Sequence, residues 1–323
     1  MPVQFGRNAY MGVAEETVSY GTISTGSFTA MRLISCSLGK TVERARKTHL
    51  NQGSAGFVRS TFDAFNVTGG NITGPLHYAG NGDILKAALG AVNSTSGPAP
   101  FTHTFTVAAN LPSYSIKFFR GQAQSGNPTR ENFLGCVVNT LTISCAAGEE
   151  AQFSAEIIAQ DAAARASDGT APSFPVSAAS VLHHQSSDLT WNSSTYKLRS
   201  FEIVIDNKIE RRNLLGSQLT SEPNTSDVRE VRMTATLDLE DNQLYNDQIT
   251  TPTAVDADVV LTMTGTGDNR MTFTIFNAVI EEYSDAVTTF GRIERTVTFL
   301  GTIDNSGNEA IKIEMRNGNA NPI

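Results

Sequence analysis

Catalysis or metal binding needs titratable or ligating side chains within reach of one another, and this 323-residue sequence offers few such arrangements. The adjacent pair His183-His184 has no cysteine or repeated carboxylate beside it, and neighbouring side chains on an extended strand point to opposite faces, so no metal site is expected there. His49, His77 and His103 stand alone. Cys36, Cys136 and Cys145 are odd in number, match no zinc or redox spacing and lie in strand-like segments, where a thiol acts as a small buried apolar group. The Gly-rich stretches "GSAG" (53–56) and "TGTGDN" (264–269) neither open a helix nor carry a following Lys-Ser/Thr, so they read as hairpin turns rather than phosphate loops. No Gly-x-Ser-x-Gly elbow is present, and the carboxylate pairs Glu149-Glu150 and Glu281-Glu282 sit at or near strand ends, where solvation accounts for them. The reading is therefore a protein without catalytic residues, metal or cofactor.

Two basic loops stand out in an acidic chain. "TVERARKTHLNQGSAGFVRS" carries Arg44, Arg46, Lys47 and Arg59, and "KIERRNLLGSQLTSEPNTSD" carries Lys208, Arg211 and Arg212. Both are long for connections between strands, and loops beyond roughly 12–15 residues without structure of their own tend to be functional or disordered. They are read as arms that contact acidic residues of a neighbouring subunit. With 24 Lys and Arg against 32 Asp and Glu, the net charge of −8 argues against a protein built to grip nucleic acid. No apolar run approaches the roughly 20 residues of a membrane span. The opening MPVQFGRNAY lacks the pattern of a secretory signal, so the protein is expected to stay where it is made.

The elements around these loops are mostly strands. Phe101, His103, Phe105 and Val107 alternate with threonines, as do Tyr114, Ile116 and Phe118 with their neighbours. The clearest case sets Val231, Met233, Ala235, Leu237 and Leu239 against Arg232, Thr234, Thr236, Asp238 and Glu240, the signature of a half-buried antiparallel strand. Further runs occur at 201–205, 271–275, 297–299 and 311–315. Within this β pattern, "NGDILKAALGA" (81–91) places Ile84, Leu85, Ala88 and Leu89 on one helical stripe, with Asp83 expected to cap its first turn and Gly90 to end it.

The chain also matches itself. "SLGKTVERARK" from Ser37 lies over "VIDNKIERRNL" from Val204 at an offset of 167. The stripe Leu244, Tyr245, Gln248 and Ile249, with Asp241 or Asn242 as cap, repeats the first helix at 160. "GCVVNTL" from Gly135 matches "NAVIEEY" from Asn277, and Phe153, Ala155 and Ile157 fall over Arg295, Val297 and Phe299, both at 142. Matches that keep their order while the offset shrinks describe two copies of one domain, the second with shorter loops. Residues 1–165 and 196–323 are the expected copies, and the Ala-, Ser- and Pro-rich residues 166–195 the connector.

The N-terminal "GRNAYMGVAEETVSYGT", followed in order by "VTGGNITGPL", "GDILKAALGA", "FTHTFTVAANLPSYSIKFF" and "FLGCVVNTLTISCAAGEEAQFSAEIIAQD", resembles the tail tube proteins of long-tailed bacteriophages. The resemblance covers nearly all of the first copy and weakens in the second. It implies a mostly-β chain of duplicated β-sandwich domains, each with one short flanking helix. Their inner strands would join those of neighbours into a ring barrel around a channel. It further implies stacked rings forming the virion's DNA channel, no catalytic residues or cofactor, basic arms reaching the adjacent ring, other tail proteins at the tube ends, and assembly in the bacterial host cytoplasm. DNA should pass without specific binding along a net-negative wall, with Asp238 and Glu240, then Glu281 and Glu282, as lining candidates. Such rings typically hold six single domains, so a duplicated chain should need three copies. Two other classes share the β pattern: a capsid or tail decoration protein, which would not need two matching arms, and a secreted adhesive module. The latter should show a signal peptide and clustered aromatics, whereas this chain has the single Trp191.

Overall fold

The computed structural model describes residues 9–47, 60–95, 97–120, 130–163, 182–184, 187–250, 257–285, 287, 293–303, 306–307 and 309–321. In chain order the elements are β1 (Tyr10–Glu15), β2 (Thr29–Met31), β3 (Ser35–Cys36), β4 (Gly39–Lys47), β5 (Ser60–Pro75), α1 (Gly82–Leu89), β6 (Gly90–Ser94), β7 (Phe101–Val107), β8 (Tyr114–Phe119), β9 (Arg130–Ala146), β10 (Gln152–Ala159) and β11 (Asp161–Ala162). They continue as β12 (Ser187–Trp191), β13 (Ser194–Asp206), β14 (Ile209–Asn213), β15 (Thr220–Thr225), β16 (Glu230–Asp238), α2 (Gln243–Thr250), β17 (Val259–Thr264), β18 (Arg270–Ile275), β19 (Val279–Ser284), β20 (Glu294–Leu300) and β21 (Ile311–Asn317). The chain is mostly β, as its alternating pattern requires.

The largest sheet runs β4–β5–β10–β9–β13–β16–β20–β19, antiparallel throughout, with β3 also pairing β5. A second sheet, β2–β1–β8–β9–β11, uses the N-terminal part of β9. A third, β6–β7–β21–β18–β17–β12, ends on the N-terminal part of β13. Residues on the inner faces form one continuous apolar core, in which Leu141, Ile143, Phe153, Ile203, Met233, Val297 and Phe299 of the large sheet meet Tyr114, Ile116, Phe273, Ile313 and Trp191 of the other two. The Trp191 and Phe299 rings sit 5.1 Å apart across the layers. Where β9 passes from one sheet to the other, Gly135 has φ of 60° and a Cβ there would meet the Tyr20 ring and Gln160 at 2.8 Å, so the crossing requires glycine.

One irregularity recurs. Between β10 and β9, Ile157 pairs with Val138 and Glu156 with Thr140, so Asn139 is skipped; between β20 and β19, Phe299 pairs with Ile280 and Thr298 with Glu282, so Glu281 is skipped. Both bulges fall at positions separated by the 142-residue offset read from the sequence.

Both helices form. Gly90 ends α1 with φ of 107° and donates its N–H to Lys86 O. Asp83, expected as a cap, is instead buried in the first turn at 4% exposure. Asn81 occupies the capping position, and its Oδ1 accepts the His77 N–H at 2.6 Å. In α2 the Asp241 carboxylate accepts the Gln243 N–H at 3.1 Å. Part of the stretch expected as connector is strand: β12 pairs with β13 and β17, and Trp191 is 1% exposed. Only Leu189 and Trp191 mark its inward face, too short an alternation to register among Ser, Asp and Thr. Asn269 O accepts the Gly265 N–H across the "TGTGDN" hairpin turn, while "GSAG" lies outside the described residues.

Candidate assembly interface

The two basic arms are built differently. In the first, β4 and β5 extend past the large sheet as a two-stranded ribbon in which Arg44 and Arg46 are exposed. Arg44 Nε meets Asp63 Oδ1 at 3.1 Å, an exposed pair worth about 0–1 kcal/mol. Lys47 ends β4, and Arg59 lies outside the described residues. The second arm is the hairpin β14–β15, and its Arg211 is already in use within the chain. Arg211 Nη2 donates to Thr68 O at 2.5 Å and Nη1 to Ala159 O at 3.5 Å, and desolvation there lowers its pKa. Lys208 Nζ meets Asp206 at 2.8 Å and Glu230 at 3.7 Å, while Arg212 is exposed beside Glu222 in a groove that Glu16 and Tyr20 also line. The arms touch each other: Gln218 O accepts the Asn66 N–H at 2.8 Å, and Gln218 Nε2 donates to Asp63 O. At the hairpin tip Leu214 is 44% exposed and Leu215 fully so.

Beneath the second arm a small apolar cluster sits apart from the core. Ile209 packs on Val137 of β9 and Ile158 of β10, with Tyr20 and Leu111 at its margin. Asn139, the bulged residue, accepts the Ile209 N–H on Oδ1 at 2.8 Å.

The outward face of the large sheet carries hydroxyls and carboxylates: Thr140, Thr142 and Ser144 on β9, Thr234 and Thr236 on β16, Thr296 and Thr298 on β20, with Glu156, Glu202, Asp238, Glu282 and Glu294 among them. This pattern follows from strands buried on one face only. Two arginines offset part of the charge. Arg199 bridges Asp238, at 2.7 Å, and Glu294; Arg232 grips Glu281 through Nε, at 2.8 Å, and Nη2, at 3.1 Å. Of the four residues expected on a channel wall, Asp238 and Glu282 sit on this face, Glu281 is the bulged partner of Arg232, and Glu240 is exposed just beyond the end of β16. Glu156, Glu202 and Glu294 were missed, although each alternates with buried neighbours in its strand.

Two of the cysteines and the strand histidine His103 are held in the interior. Cys136 and Cys145 are buried in β9, and desolvation pushes the Cys145 thiol up to about 11. His103 is fully buried and bonded to Ser94 Oγ at 2.8 Å and Asn319 O at 2.9 Å, so it anchors the C-terminal segment. Among the described residues no group of three or more His, Cys, Asp or Glu could hold a metal ion.

A search of curated proteins returns no match. A family model described as phage tail tube protein matches residues 6–315, nearly the whole sequence, and the chain therefore belongs to this family of non-enzymatic structural proteins of the phage tail.

Proposed function

We propose that three copies of this chain close into a ring, that stacked rings build the tail tube, and that the outward face of the large sheet lines the channel through which DNA leaves the virion. The observation that carries this reading is the sheet order itself. β4, β5, β10 and β9 are followed, side by side, by β13, β16, β20 and β19, and the last two strands of each set share a bulge at matching positions. Each set of four is one tube unit: residues 1–165 hold the first and 196–323 the second, with β12 joining the second from what reads as linker.

Three such eight-stranded sheets would make a wall of 24 strands, roughly 40–50 Å between opposite backbones for strands about 4.8 Å apart and tilted as barrels require. The hydroxyl and carboxylate lining suits passage of a polyanion, because a wall of Lys and Arg would hold phosphates and release counterions, whereas this one offers little to grip. Helix α1 lies under the sheets and covers their apolar face between β9 and β1. The arms, with Arg44, Arg46, Lys208 and Arg212, face adjoining subunits or rings, and other tail proteins close the tube ends.

Cryo-microscopy of the purified protein tests this reading. Hollow filaments with three chains per cross-section are expected. Six whole chains around one ring would make the second half a decoration and refute the trimer, and a predominantly basic bore would refute the channel assignment.

A further inference from the structure

The middle of the large sheet contains a joint between two units, β9 against β13, and its two ends are open: β19 at one, β3 and β4 at the other. These open ends occupy the same positions in their units as the mated edges. β19 repeats β9 through the shared bulge, and β4 repeats β13, since Lys40 and Thr41 pair with Thr68 and Val67 as Ile205 and Asp206 pair with Val231 and Glu230.

The contacts that seal the joint inside the chain have counterparts at the open ends, where among the described residues no second unit covers them. Ile209, 7% exposed, covers Val137 and Ile158. Its sequence counterpart at the start of the first arm is Val42, 37% exposed in "VER" as Ile209 is in "IER", although Val42 follows Thr41 directly in β4 whereas Ile209 comes three residues after Asp206, beyond a turn at Lys208. The counterparts of Val137 and Ile158 are Val279 and Leu300, directly paired with each other, half-buried, and outside the main core. All three positions are apolar in both sets. Asn139, whose side chain accepts the Ile209 N–H, is replaced at the second bulge by Glu281, another acceptor. Arg211, inserted on the carbonyls of Thr68 and Ala159, corresponds to Arg44, which among the described residues meets the exposed Asp63. Helix α2 points the same way: Leu85 and Leu89 of α1 are fully buried, but their counterparts Tyr245 and Ile249 are 44% and 55% exposed above the open β19 edge.

We propose that the chain carries the template of its own subunit interface. The β4 edge of one copy docks on the β19 edge of a second copy in the register of the β9–β13 joint, with Thr41 opposite Glu282 as Asp206 is opposite Thr140, and the stretch that follows, carrying Val42 and Arg44, runs toward Val279, Leu300 and main-chain carbonyls at the ends of β16 and β20. This rests on the ring reading above and adds the identity, direction and register of the contact. Sheet extension by backbone pairing supplies affinity, and the inward and outward alternation of the strands restricts the register, since a slip of one residue would turn every side chain to the wrong face.

Cysteine pairing tests it. In a Cys36→Ser background, Thr41→Cys with Glu282→Cys should cross-link on mild oxidation into species of up to three chains. Asp206→Cys with Thr140→Cys, the same pair at the inner joint, should close within one chain. Thr41→Cys with Ser284→Cys, two residues out of register, should cross-link at least tenfold less. As a second variant, Val42→Asp in the unmodified chain should raise the concentration needed for assembly at least tenfold while leaving monomer circular dichroism unchanged. Rings or tubes that form without the Thr41–Glu282 cross-link, or that form normally with Val42→Asp, would overturn the proposed contact and leave the tube reading intact. Failure of the unmodified protein to form rings at any concentration would overturn both.

Discussion

Arg295 Nη1 donates to the main-chain oxygen of Asp241 at 2.9 Å and to its carboxylate at 3.1 Å, placing a guanidinium with 1% exposure beneath the start of α2. The same guanidinium lies 5.3 Å from the Tyr196 ring. At the matching place in the first half stands Phe153, also buried. Asp241→Ala should destabilise the monomer by roughly 2–4 kcal/mol, because it strands a buried cation, whereas Arg295→Phe should cost much less or nothing. Chemical denaturation of the monomers gives both numbers, and a larger loss for Arg295→Phe than for Asp241→Ala would contradict the argument.

Asp83 supplies a pH dependence. Desolvation raises its pKa to about 7, opposed by Lys86 and assisted by Glu15. A carboxyl raised in the folded state stabilises fully below its unfolded value and loses that contribution as pH rises through the folded one. Monomer melting temperature should therefore fall between about pH 4 and pH 8, with up to about 4 kcal/mol at stake. Asp83→Asn should flatten this slope; a variant as pH-dependent as the original would show that another group controls it.

The two matched arginines should behave oppositely. Arg211→Ala removes hydrogen bonds from the main-chain carbonyls of the buried residues Thr68 and Ala159 and should cost the isolated monomer about 1–3 kcal/mol. Arg44→Ala breaks only an exposed ion pair and should leave monomer stability within about 0.5 kcal/mol while weakening assembly. Thermal unfolding beside sedimentation of the same variants separates the two effects, and equal losses of monomer stability would end the distinction.

Leu214 and Leu215 at the β14–β15 tip expose apolar surface that a monomer has no reason to keep. If that tip meets the next ring, replacing both with Asp should leave single rings and abolish long tubes, as negative-stain microscopy would reveal. Tubes of ordinary length would assign the tip no part in stacking.

Much of this fold was legible because strands buried on one face must alternate: β7, β8, β16, β18 and β21 appear where the pattern places them. The helix pair was legible for the equivalent reason at a 3.6-residue period. What stayed hidden depends on partners far away in sequence. The depth of Arg295 requires Asp241, 54 residues earlier. The docking of Arg211 uses main-chain oxygens of Thr68 and Ala159, which carry no side-chain signature at all. Asp83 read as a cap because a carboxylate beside a helix start usually is one; the packing of Met11, Ile84 and Tyr114 around it puts it in the interior instead.

A joint already closed inside each chain also restricts what the assembly can become. In the proposed ring, four-strand units that arrive in covalent pairs would complete a circle only in even numbers, so miscounted rings of five or seven units would be unreachable, and the nearest errors would be two units away. Each such error would change the curvature at every remaining joint by far more than a single lost or added unit. Half of the joints of such a ring, moreover, would form during folding, at the effective concentration of one chain rather than of the solution. In such a ring the covalent pairing would act as proofreading: it would widen the gap in strain between the correct circumference and the next permitted one.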